Sequence, residues 1–211
     1  MGLLSDFGTP GSLIRLLLSL PAILWAISFH EFCHGWVAYK LGDRTAAYEG
    51  RLSLNPLAHF DPIGALMLLF VGFGWAKPVP INSRHFKNPR RDIALVSIAG
   101  AGGNFLTAAA CGIVARIAPF AMGGTFGLFM IILLYVNVGL GVFNLIPIPP
   151  LDGSKILAIM LPPSMMRGYF FLEQYGMIII LVLVFTKVLP MIMNPIVYNV
   201  ARFLARPLVY Y

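Results

Sequence analysis

Charge is what this sequence has least of. Only 11% of its 211 residues are Asp, Glu, Lys or Arg, against about 25% in an ordinary soluble domain. Hydrophobic residues make up 59%, and the mean hydropathy is +0.84. A bilayer absorbs that much apolar surface where a soluble core does not, so residues 1–211 read as a single membrane-embedded domain. Cysteine is nearly missing too: Cys33 and Cys111 both fall in apolar segments, which excludes a disulfide framework. There is no basic groove interleaved with aromatics, so the net charge of +7 does not indicate nucleic acid. The N-terminus lacks the basic start and small-residue cleavage site of a removable signal. No internal repeat, low-complexity tract or second soluble domain is visible.

Long apolar runs dominate what is present. Residues 12–40 exceed the roughly 20 residues needed to span a bilayer. The stretch 41–62, with Gly50, Pro56 and Pro62, reads as a hairpin. Residues 63–76 are apolar but short, which suggests a re-entrant helix. A basic, proline-broken loop, "KPVPINSRHFKNPRR", follows. Further spans are expected at 92–118, 125–146 and 169–189, with a short helix at 153–162. The tail 191–211 either spans or lies at the interface. Within "NLIPIPPLDG" (144–153) three prolines in four positions break any helix. The expected fold is therefore all-α and multi-pass, with about four to six transmembrane or re-entrant helices and a small membrane-associated β-hairpin beside the site.

The positive charges orient these spans. The lysines and arginines from Lys40 to Arg91, with Lys155 and Arg167, collect on one side. Arg15, Arg116 and Lys187 lie on the other, and Arg202 and Arg206 stay unassigned. By the positive-inside rule the richer side is cytoplasmic, which puts His30, His34 and Asp152 near the cytoplasmic ends of their segments.

"FHEFCHG" places His30, Glu31 and His34 inside the first span. Ionisable groups cost several kcal/mol near the bilayer centre, so they usually serve function there. Residues i and i+4 share a helix face, so His30 and His34 aim two imidazoles at one ion. Glu31 projects beside them, suited to carry a proton. Composition alone produces the pattern in about 0.003 of such chains. Two packing histidines with a glutamate partner are the bland alternative. A catalytic zinc usually takes three protein ligands, and the third candidates are Asp43, Glu49, His59, Asp61, Asp92, Asp152 and Glu173. Asp152 stands out, because it follows a broken apolar segment at the depth of the histidines, where irregular backbone needs a protein or watery lining. Its alternative role is the N-cap of a helix starting at Gly153. His59 is expected to be structural and His85 solvated. Trp25, Trp36 and Trp75 read as packing or interfacial anchors.

"HEFCH" with "NLIPIPPLDG" about 110 residues later resembles the site-2 protease family of intramembrane zinc metalloproteases. "LSLNPLAHFDPIG", "GWAKPVPIN" and "SIAGAGGN" resemble its short branch, which lacks PDZ and CBS domains, so the likeness covers roughly residues 20–160. One departure is Ala101, which stands where the family commonly has proline. The resemblance implies one Zn2+ per chain on His30, His34 and Asp152, with Glu31 as general base and acid. Asn144 and Asn104 become candidates for contacting substrate or oxyanion, against the alternative that a buried asparagine bridges helices. Residues 45–55 and 77–82 are expected to form a strand edge that covers the site and docks an unwound substrate.

The expected activity is hydrolysis of peptide bonds in transmembrane or membrane-proximal segments, on the cytoplasmic side of a prokaryotic cell membrane. The partners are then a transmembrane protein substrate and the bilayer, with no nucleic acid. A metal-ion or proton transporter using the same His/Glu/Asp cluster is the alternative. A silent scaffold is a third reading, weakened by retention of Glu31.

Overall fold

A computed structural model describes residues 11–71 and 74–205, with every side chain included except that of Val71. The N-terminal start, residues 72–73 of the expected re-entrant segment, and Arg206 lie outside the described residues. The helices are α1 (Ser12–Lys40), α2 (Thr45–Tyr48), α3 (Pro62–Val71), α4 (Pro89–Ile117), α5 (Gly124–Asn144), α6 (Asp152–Met160), α7 (Met166–Phe185) and α8 (Val188–Ala205). Short 3-10 turns link several of them. Among the described residues, five helical stretches are long and apolar enough to cross a membrane: α1, α4, α5, Pro163–Phe185 and α8. At 1.5 Å per residue, α1 and α4 each run about 43 Å, enough to cross an apolar layer of about 30 Å.

Local chemistry explains where the helices start and stop. Gly42, at φ 111°, closes α1: its N–H bonds to Tyr39 O at 3.1 Å and the Asp43 N–H to Ala38 O at 2.9 Å. This left-handed closure favours glycine and leaves Asp43 directly below α1. Asp61 opens α3, its Oδ1 accepting the Gly64 N–H at 2.9 Å, with Pro62 as the first helical residue. At α4 the Asp92 carboxylate reaches back to the Asn88 N–H at 3.0 Å. Two candidate ligands, Asp61 and Asp92, are thereby committed to helix starts.

Helix α4 is central, packing against α1, α5, α6 and α8, while α7 packs chiefly against α8. Small residues make these approaches close: Ala22, Ala26, Ala38, Ala101, Ala108, Ala115, Ala201 and Ala205 are all buried. In lipid, helices associate through such close packing because the solvent is as apolar as the side chains. A larger cluster of Leu134, Val138, Met130 and Cys111 closes the α4–α5–α8 contact.

The expected β-hairpin is not there. Among the described residues there is no strand: residues 45–48 are helical and 77–82 belong to no helix or ladder. Proline explains this. Pro78 and Pro80 lack N–H groups, and the donors between and beside them go elsewhere. Lys77 N–H bonds to His59 O at 2.9 Å, Val79 N–H to Glu31 at 2.8 Å and Asn82 N–H to Asp43 at 2.6 Å. A side chain, Arg51, links the two pieces instead of a backbone ladder, donating to Lys77 O at 2.7 Å and Pro78 O at 3.0 Å.

Candidate metal centre

The helical period brings His30 and His34 together, and the broken segment after α5 brings Asp152 to meet them. The chain leaves α5 at Asn144, turns through Leu145–Leu151 and re-enters helix at Asp152, which is the first residue of α6 rather than its cap. Gly153 permits this return: a Cβ there would lie 2.2 Å from Leu145 O. His30 Nε2 is 3.0 Å from His34 Nε2, and Asp152 Oδ2 is 3.2 Å from the first and 2.9 Å from the second. All three side chains are buried. Of the seven candidate third ligands, Asp152 alone joins the histidines among the described residues. Glu49 and Glu173 are exposed, and His59 is buried with its Nε2 on Ser53 O at 2.8 Å.

Hydrogen bonding sets the tautomers. His34 Nδ1 lies 2.7 Å from Val96 O; a carbonyl only accepts, so Nδ1 carries the proton and Nε2 keeps its lone pair. His30 Nδ1 lies 2.7 Å from Asn104 Oδ1. The orientation of that amide follows from its other contacts. Asn104 Nδ2 donates to Ala26 O and to Asn137 Oδ1, each at 3.0 Å, and Asn137 Nδ2 donates to Leu133 O at 2.8 Å. Both carbonyls require amide nitrogens, so Asn104 Oδ1 must face His30. His30 Nε2 therefore also presents a lone pair.

Two imidazole lone pairs and a carboxylate oxygen thus converge within hydrogen-bond distance of one another with no proton assigned between them. Such a set draws a cation, and a borderline-soft divalent metal fits its nitrogen and oxygen donors. The surroundings leave room for one. A Cβ on Gly100 would lie 2.4 Å from His34 Nε2 and 2.7 Å from His30 Nε2. Lys155 Nζ holds the other Asp152 oxygen at 2.9 Å, steering Oδ2 inward.

Glu31 lies beside the triad, half-buried, its Oε2 accepting the Val79 N–H. Asn104 is fully buried and every polar atom of its side chain is engaged, so it positions His30 rather than facing a substrate. Asn144 is half-buried and donates to Leu140 O at 3.0 Å on its own helix. Ala101 is buried in an unbroken α4. His85 is half-exposed and pairs with Asp43 at 2.9 Å. Sequence reasoning missed Gly100, Asn137, Lys155 and the Val96 carbonyl. Asn137, an amide in the middle of an apolar span, was the one with a readable signal.

The family model described as "Peptidase family M50" matches residues 112–189, which include Asp152. A Bacillus subtilis protein named "Putative zinc metalloprotease YwhC" is 41% identical over 174 residues, 78% of this chain and 78% of that protein. Rip2 of Mycolicibacterium smegmatis, which carries the same description, is 29% identical over 178 residues, 82% of this chain and 68% of its own. No solved structure matches.

Proposed function

Because the chain belongs to peptidase family M50, we propose that it is an intramembrane zinc metalloprotease cutting peptide bonds in transmembrane or membrane-proximal segments of other membrane proteins. One observation carries this reading: two histidine lone pairs and Asp152 Oδ2 converge in a buried site, with Glu31 on the same helix beside them. His30, His34 and Asp152 would hold the zinc. When bound, zinc polarises a peptide carbonyl and makes water a competent nucleophile near neutral pH.

The chain's own residues supply the rest. Glu31 takes a proton from the attacking water and returns it to the leaving nitrogen. Asn104 and Val96 hold the imidazoles in the ligating tautomer, and Lys155 turns Asp152. Asn144 is retained as a candidate for substrate contact. His34 sits six residues before Lys40, about 9 Å below the end of α1, and the lysines and arginines gathered at that end support a site that faces the cytoplasm. The polar network runs from His30 through Asn104 to Asn137 and ends on Leu133 O, a backbone carbonyl. A site needs such a closed end; an ion pathway needs continuation across the bilayer, which favours the protease over the transporter.

The test is zinc content of the purified full chain beside His34→Ala, then cleavage of a single-span membrane protein in proteoliposomes. One zinc per wild-type chain, lost in the variant, is expected, with cleavage abolished in Glu31→Gln while its zinc remains. Cleavage by Glu31→Gln at the wild-type rate would remove Glu31 from the mechanism. A wild-type chain without zinc would end the reading.

A further inference from the structure

The irregular segment 77–82 lies against the proton-carrying carboxylate, and its hydrogen bonds say what it does there. Val79 N–H donates to Glu31 Oε2 at 2.8 Å. Val79 is buried, and its side chain packs on the bare backbone of Gly35, one residue past His34: a Cβ on Gly35 would lie 3.3 Å from Val79 Cγ1 and 3.2 Å from Leu52 Cδ1. The segment is anchored at both ends. Arg51 clamps the Lys77 and Pro78 carbonyls, and Asp43 holds the Asn82 N–H.

The Pro78–Val79 peptide therefore places its amide nitrogen on Glu31. A trans peptide points its C=O opposite to its N–H, and this carbonyl is taken by Arg51 at 3.0 Å rather than by the His–His–Asp triad. We infer that residues 77–82 are an internal substrate mimic: at rest, Val79 N–H occupies the place of the substrate's leaving-group nitrogen on Glu31, and the substrate must displace it. Arg51 is a positioning residue, acting on Glu31 only through the strap. This inference rests on the reading of Glu31 as the proton carrier.

Two features make the strap a placeholder rather than a docking edge. Pro78 and Pro80 have no N–H, and that of Val79 is engaged, so the strap has no free donor from 78 to 80 for an incoming strand. The segment is also held by side chains, Arg51 on the Lys77 and Pro78 carbonyls and Asp43 on the Asn82 N–H, rather than by a backbone ladder that an incoming strand could extend.

Hydrogen–deuterium exchange on the zinc-loaded, detergent-solubilised full chain tests this, read over residues 77–82. The probe is a peptide hydroxamate, which chelates zinc and runs a peptide backbone through the site. The Val79 amide is expected to be protected at rest and to exchange about tenfold faster with the probe bound, as the strap lifts. Arg51→Met should exchange faster without the probe and show a lower KM for a short peptide at unchanged kcat, with Arg51→Lys intermediate. Unchanged or increased protection with probe bound would overturn the inference, the increase marking strand docking instead. A wild-type chain that neither cleaves nor binds the hydroxamate would overturn it together with the protease reading, whereas cleavage with an immobile strap would overturn it alone.

Discussion

Asn104 Oδ1 stands 2.7 Å from His30 Nδ1, and the amide that fixes it there is itself fixed by Ala26 and Asn137. The imidazole is thereby set before any metal arrives. Losing the asparagine frees the ring to turn and leaves Asn137 Oδ1 without its donor. Asn104→Ala should weaken zinc binding about 10- to 100-fold, the usual effect of losing a ligand's outer partner. Chelator competition on the purified chain measures it; wild-type affinity in the variant would reduce Asn104 to a helix bridge.

Two neighbouring glycines on α4 separate a cradle from a helix surface. A methyl group at Gly100 would sit 2.4 Å from His34 Nε2 and 2.6 Å from His30 Cε1, whereas one at Gly102 would meet nothing within 4 Å. Gly100→Ala should abolish stoichiometric zinc while the protein still folds, since both rings must turn away. Gly102→Ala should keep its zinc and gain up to about 1 kcal/mol from better helix propensity. Metal analysis and thermal unfolding of the two variants check the contrast; equal zinc in both would mean the site is not shaped by Gly100.

Lys155 Nζ lies 2.9 Å from Asp152 Oδ1 and is nearly half-exposed. A partly solvated ammonium is worth about 0–1 kcal/mol to a carboxylate, so its contribution is orientation more than charge. Lys155→Met should lower zinc affinity less than tenfold, well short of Asn104→Ala. The same competition assay ranks the two; a larger loss from Lys155→Met would place the stronger support on the solvent side.

The long helices were legible because hydropathy and length suffice for them: the run at 12–40 is α1 residue for residue, and the span expected at 125–146 is α5 at 124–144. His30 and His34 were legible because a helix places i and i+4 together; for Asp152 the broken backbone at that depth made a ligand plausible, and the family resemblance supplied the choice among the candidates. The hairpin failed for a reason already written in "KPVPIN". Alternating prolines look extended but remove the donors a ladder needs. Asn104 stayed open between substrate contact and helix bridge because sequence shows an amide but not what it faces, and Val96 acts through its carbonyl, which no side chain reports.

Asp43 makes the anchoring of the strap pH-dependent. Its carboxylate lies just past the Gly42 turn and accepts from Thr45 Oγ1 and N–H, from Asn82 N–H and from His85 Nδ1. Burial alone would raise this carboxyl, but the hydrogen bonds outweigh it and hold it below its ordinary range. A depressed carboxyl contributes stability that is complete above the unfolded value of about 3.9 and is lost as pH falls through the folded value. Asp43→Asn should therefore cost about 1.5–3 kcal/mol at pH 7, the range for hydrogen bonds to a charged group. It should cost progressively less below about pH 4, as the wild-type carboxyl takes up its proton first in the unfolded chain and, lower still, in the folded one. Thermal unfolding of both proteins from pH 7 to pH 3 measures the convergence, and exchange over residues 77–82 should rise in the variant across the same range. Parallel curves would mean that the charge on Asp43 contributes nothing and that its geometry alone holds the strap, since asparagine can still accept from the Asn82 N–H.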